Sequence, residues 1–145
     1  MKRMALAFLL LWVLIPPLAM AETAAHFHNV TYHRCYHAHS CFVSIPGLPT
    51  IFGDVLLIRL AGIDTPEILG KCEQEKQLAK KARDYVNTVL FNAREIDLYD
   101  LERGEHFNLV ARVVANGKNL SEQLIKRKFA VPHKEGNQKP DWCKK

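Results

Sequence analysis

Apolar and polar positions along this 145-residue chain fall into stretches of different period. Residues 4–15 are a continuous apolar run, preceded by Lys2-Arg3 and followed by Ala19-Met20-Ala21. The run is shorter than the roughly 20 residues a membrane span needs. Its basic start and small-residue end mark a secretory signal peptide, residues 1–21, cleaved after Ala21, with an uncleaved anchor as the competing reading. The remainder, 22–145, reads as a single domain with one moderate core. Residues 30–32 and 41–45 look like short strands on either side of a polar loop, and Pro46-Gly47-Leu48-Pro49 like a turn. Residues 55–61 are nearly all apolar, as in a strand covered on both faces, yet Arg59 sits inside the run.

From Glu73 the period lengthens. Leu78, Ala82, Tyr85, Val86, Val89 and Leu90 recur at the spacing of one helix face, with Lys80, Lys81, Arg83 and Asp84 turned outward. Residues 96–101 and 107–115 return to strand patterning, and Asn116-Gly117 between apolar runs is a hairpin signal. Residues 120–127 read as a short second helix with Ser121 near its start. The tail, 132–145, is polar with Trp142-Cys143 as its one anchor. Several short strands and two helices predict a small β-barrel with helices packed on it, without fixing the strand order.

Export changes how Cys35, Cys41, Cys72 and Cys143 read: in an oxidising destination an even number of cysteines points to disulfides. Three pairings are open. If His37-Ala38-His39 is a three-residue hairpin loop, Cys35 faces Cys41 across it, and Cys72 with Cys143 then ties the tail to the body. Charge changes the picture less. Without Lys2 and Arg3, 18 basic residues stand against 15 acidic ones, a net charge of +3. They gather at 76–83 and 126–134, which suits a phosphate-bearing partner or an ordinary solvated helix face. Five of the seven histidines, His26, His28, His33, His37 and His39, fall close together. Imidazoles at such spacings can converge on a metal ion.

The densest chemistry lies in Arg59-Leu60-Ala61-Gly62-Ile63-Asp64-Thr65-Pro66-Glu67. An apolar strand delivers an arginine and opens into a turn with two carboxylates, and Pro66 keeps Thr65 out of helical geometry. A guanidinium beside paired carboxylates can bind an anion while holding a hard cation or poising a water. A structural arginine–aspartate pair is the bland alternative.

IRLAGIDTPE, with KCEQEKQLAKKARDYV, LERGEHFNLVARVVANGKNLSEQLI and the closing WC, resembles the secreted thermonuclease, or staphylococcal nuclease-like, family from about residue 32 to residue 143. The resemblance implies an α+β, mainly β fold: a five-stranded OB-type barrel with two packed helices. It also implies calcium-dependent cleavage of DNA and RNA phosphodiesters. By position, Arg59 would hold the scissile phosphate and its developing charge. Asp64 and the Thr65 carbonyl would ligate the metal, and Glu67 would orient or deprotonate the attacking water.

The chain also departs from the family's pattern. In place of an Asp-Gly-Asp-Thr turn it has His37-Ala38-His39-Ser40, so His39 stands at a calcium-ligand position where imidazole suits zinc, manganese or nickel better. Ala38 at a glycine position is expected to distort that turn. The family's second phosphate-binding arginine falls on the uncharged Asn108. Arg103, at the strand's start, could swing in; Arg112 shares Asn108's strand face but lies about 13 Å along it; Asp54 is a spare carboxylate. Lys128 stands where relatives place a glycine after the second helix. Losing one transition-state contact costs about 10²–10³ in rate. The expectation is therefore a secreted or periplasmic, monomeric nuclease-family protein, impaired or altered in metal preference. It would act on single-stranded DNA or RNA with a divalent metal, free of the membrane once the signal is removed. The alternatives are a catalytically inactive nuclease-fold protein binding nucleic acid or another anion, and an extracytoplasmic histidine-rich metal-binding protein.

Overall fold

Strands β1 (Ala25–Phe27), β2 (Thr31–His37) and β3 (Ser40–Ser44) open a computed structural model that describes residues 25–104, 108–133, 136 and 140–144. The expected signal peptide and Phe107, the expected first residue of a strand, lie outside the described residues. β2 and β3 form an antiparallel hairpin in which Cys35 faces Cys41, with the two sulfurs at a bonding distance of 2.03 Å. A register shift between Cys35 and His37 sets His37 opposite Ser40, so the loop is Ala38-His39, one residue shorter than the sequence predicts. Ala38 is buried and is not among the residues with positive φ. The turn therefore needs no glycine there.

β4 (Leu56–Leu60) runs antiparallel to β3 and parallel to β7 (Leu109–Ala115), which puts it in mid-sheet. Ile58 and Leu60 are fully buried, while Leu57 and Arg59 on the alternate positions are half-buried. The strand is thus covered on one face rather than both, and Arg59 emerges on the open one. β5 (Ile63–Asp64), α1 (Glu73–Phe91), β6 (Ile96–Arg103), β8 (Lys118–Asn119), α2 (Leu120–Lys126) and β9 (Val131–Pro132) complete the described elements. Asn116 and Gly117, at φ 49° and 74°, form the left-handed turn that the Asn-Gly signal predicts between β7 and β8. Lys128, just beyond α2, adopts φ 62°, a conformation for which glycine is the cheaper residue.

The main sheet runs β1-β6-β7-β4-β3-β2, with β8 paired to β7 and a separate β5-β9 ribbon. β1 is absent from the sequence pattern: three residues pair with β6, and the Asn29 N–H donates to Asp97 Oδ1 at 3.0 Å. The fold is mixed and mainly β with two helices, as expected. Among the described residues the ladder is an open path from β1 to β2, not a closed five-stranded barrel.

The buried face of α1 consists of Glu75, Ala79, Ala82, Val86 and Leu90, so Ala79 rather than the expected Leu78 leads its apolar part. Asn87 fastens this helix to the hairpin: its Oδ1 accepts the Cys35 N–H at 2.9 Å and the Tyr32 hydroxyl, and its Nδ2 donates to the Cys35 carbonyl at 3.2 Å. Ile58, Leu98, Leu120 and Leu124 lie wholly inside the core. Each such side chain stabilises by about 1.5–3 kcal/mol, whereas an exposed ion pair contributes about 0–1. Apolar packing therefore sets the frame on which the polar residues are mounted. No helix among the described residues is long and apolar enough to cross a membrane.

Candidate functional site

β4 carries Arg59 to the open face of the sheet, and Gly62, at φ 74°, lets the chain reverse into β5. Thr65 and Pro66 are then buried and Glu67 is half-buried. Arg59, Asp64, Thr65 and Glu67 line one cavity of about 570 Å³ together with His39 from the hairpin. The sequence-expected phosphate ligand, metal ligands and base thus share a single pocket. No carboxylate pairs with the Arg59 guanidinium among the described residues. An arginine held on a strand in this way can receive an anion.

The hairpin turn is pinned to the pocket by its backbone, since the Leu60 N–H donates to the His39 carbonyl at 2.8 Å. His39 is 7 % exposed and its Nδ1 lies 2.6 Å from the Thr65 hydroxyl. The His37 ring stacks on it, centroids 5.4 Å apart, with its Nδ1 3.9 Å from Glu67 Oε2. Asp64 Oδ2 lies 2.9 Å from His133 Nδ1. β9, paired with β5, brings this histidine across 69 positions of sequence.

Sequence reasoning misses three contributors. Glu75 is buried at the start of α1, and its carboxylate accepts the backbone N–H groups of Glu67 at 3.2 Å and Lys71 at 2.9 Å. A Cβ on Gly70 would lie 2.3 Å from Glu75 Cδ, so a larger residue there would displace the Glu75 side chain from its place under the loop. The signal was present, because Glu75 precedes Ala79, Ala82 and Val86 at helical spacing, an acid on the buried stripe. His133, on Asp64, lies in a tail with no local pattern. Trp142 forms a pocket wall because Cys143 reaches Cys72, the residue that caps α1 by accepting the Glu75 N–H, with the sulfurs 2.15 Å apart.

Other sequence-selected residues lie elsewhere. Arg103 and Asn108 stand at the ends of β6 and β7 and are not among the residues lining the cavity. Arg112 is held by Asp100 at 2.9 Å and lies 4.5 Å over the Tyr99 ring, so it does not replace a second arginine. Asp54 is exposed, and its carbonyl accepts the Ser44 hydroxyl. The five clustered histidines split into separate groups: His26 and His28, with ring centroids 4.0 Å apart, meet Tyr99 and Asp97, His33 bonds Ser44, and His37 stacks on His39. Among the described residues only Cys72, Glu75 and Cys143 bring three metal-ligating atoms within 4.8 Å of one another, and those two sulfurs are already joined.

The donors around Asp64 bear on which ion the pocket could take. Calcium takes six to eight oxygens; here Asp64, Thr65, Glu67 and the His39 imidazole line one pocket, and Asp64 is already engaged with His133. An imidazole among the donors is a poorer ligand for calcium than for an ion such as zinc or manganese.

Among the described residues a mainly β domain thus presents an arginine beside acid and imidazole side chains in one pocket. The chain belongs to the family of staphylococcal nuclease homologues, whose model matches residues 57–143. That family acts on nucleic acids and is generally dependent on a divalent metal. Comparison with curated proteins returns no match.

Proposed function

We propose that residues 22–145 form an exported, monomeric domain that hydrolyses phosphodiester bonds of single-stranded DNA or RNA, slowly and without a preference for calcium. The observation that carries this reading is the shared pocket of Arg59, Asp64, Thr65, Glu67 and His39. We read the sheet as the OB-type barrel of the family, with cleavage after Ala21 releasing the domain outside the cytoplasm. Arg59 binds the non-bridging oxygens of the phosphate and offsets the charge that grows on them. Glu67 takes the proton of the attacking water, from a loop whose backbone Glu75 fixes. Asp64, the Thr65 carbonyl and His39 would hold a zinc or manganese ion, which supplies Lewis-acid polarisation of the phosphate.

A second reading has its own support. His39 and Asp64 direct hydrogen-bonding capacity at Thr65 and His133, and among the described residues no second arginine lines the pocket. A domain built this way would bind nucleic acid without cutting it. The test is incubation of the purified protein with single-stranded DNA and RNA in calcium, manganese, zinc, nickel and chelator. Cleavage should be strongest with manganese or zinc and lost in Arg59→Ala. Absence of cleavage with every ion, together with salt-sensitive oligonucleotide binding, would transfer the assignment to the second reading. Absence of binding at low salt would remove both.

A further inference from the structure

Beside the pocket lies a second cavity of about 560 Å³ whose surface is largely apolar. Phe42, Leu57 and Ile68 line it half-buried, Tyr36 and Leu69 stand at 51 % and 92 % exposure, and Arg83 of α1 adds a cation. Exposed apolar residues scattered singly need no explanation, but a contiguous aromatic and leucine patch in a groove does. This groove adjoins the phosphate pocket at two points. Leu69, two positions after Glu67, lines both cavities, and His37, which also lines the groove, places its Nδ1 3.9 Å from Glu67 Oε2.

The groove's chemistry names its occupant. Tyr36 and Phe42 meet edge to face, centroids 5.6 Å apart, and the Arg34 guanidinium lies 4.7 Å from the Tyr36 ring centre. Aromatic rings backed by arginine are what single-stranded nucleic acids use: bases stack on the rings while cations track the backbone. A duplex keeps its bases stacked internally and offers one to such a groove only at the cost of unpairing and unstacking it.

We propose that the Tyr36–Phe42–Leu69 groove is a base-binding subsite, receiving the unpaired nucleobase next to the phosphate that Arg59 holds. The inference rests on the reading of the Arg59 pocket as a phosphodiester site and adds where the strand runs and which feature of it is recognised. Phosphate affinity comes from Arg59, and the preference for a strand that carries bases comes from the groove.

The two contributions separate in one binding experiment on the full protein. Fluorescence anisotropy is measured with a short labelled oligothymidylate and with an abasic strand of the same length, in chelator at low salt. The wild type is expected to favour the base-bearing strand by about tenfold, the scale of one stacked base. Tyr36→Ala, at a half-exposed strand position, should abolish that ratio while leaving abasic binding unchanged, and Tyr36→Phe should keep it. Arg59→Ala should weaken both strands alike and preserve the ratio. Equal binding of the two strands by the wild type, or parallel weakening of both in Tyr36→Ala, overturns the base subsite while the phosphate site stands. Failure of both strands to bind overturns the phosphate reading and the subsite with it.

Discussion

The hairpin wall carrying His37 and His39 and the turn wall carrying Asp64, Thr65 and Glu67 face the same cavity but are held by different means. The hairpin is closed by Cys35–Cys41, a bridge only six positions long, and is clamped to α1 by Asn87. The turn wall hangs on a buried carboxylate, Glu75, and on a tail tied back across 71 positions by Cys72–Cys143. Rigidity and chemistry are independent here. The hairpin is the more locally braced of the two walls, yet it carries imidazoles where the family's pattern has oxygens. The turn wall keeps the expected acid and threonine but depends on distant parts of the chain to hold them in place.

The two disulfides offer the largest test of that difference. Cross-link stabilisation grows with the loop closed, so Cys72→Ala/Cys143→Ala should lose about 4 kcal/mol and Cys35→Ala/Cys41→Ala about 2. Urea denaturation of the two double variants measures both, and the reverse order would show that the hairpin carries the greater share of the constraint. Next in size is Arg59→Ala, expected to lower kcat/KM by about 10²–10³ with little change in Tm. The arginine lies on the open face of the sheet and supports neither wall, so a large stability loss would contradict its assignment as an anion ligand.

What the sequence exposes and what it hides follow the same division. The Asn116-Gly117 turn and the Arg59-to-Glu67 segment are local patterns that appear where their spacing puts them, and the helix face of α1 does so from Ala82 on, with Ala79 in place of Leu78 at its start. The Cys35–Cys41 facing pair follows from the hairpin, although a register shift shortens the loop. Glu75 is hidden because an acid on a lysine-rich helix reads as solvated; only its place on the buried stripe marks it. His133 meets Asp64 through β5–β9 pairing, and β1 reaches β6 from about 70 positions away, so neither leaves a periodic trace. The reading of β4 as covered on both faces fails because apolar composition does not record that the face bearing Arg59 was left open.

Glu75 sharpens the comparison at a smaller scale. Glu75→Gln keeps the volume but removes one acceptor oxygen from the two N–H groups of Glu67 and Lys71. Leaving a buried donor unmet costs about 1–3 kcal/mol. If the carboxylate positions the base, kcat should fall about tenfold with KM little changed, and the pH profile of kcat should shift because Glu67 has moved. Gly70→Ala should reproduce that split, since its Cβ would press on the same carboxylate. A purely structural Glu75 would lower Tm in both variants and leave kcat and its pH profile as they were.

The smallest expected effect bears on the hairpin wall alone. Ala38 sits in its turn without positive φ, so this backbone holds position 39 without needing glycine beside it. His39→Asp replaces an imidazole by oxygens beside Thr65 and should raise calcium-dependent cleavage about tenfold, less than a full transition-state contact is worth. It should also lower cleavage in zinc or manganese, which a general gain in activity would not do. The gain stays small because His133 still engages Asp64 and, among the described residues, no second arginine lines the pocket. If His39→Asp folds normally and calcium still has no effect, the limit lies on the turn wall. Adding His133→Ala, which releases Asp64 Oδ2, should then produce the response that the hairpin change alone did not.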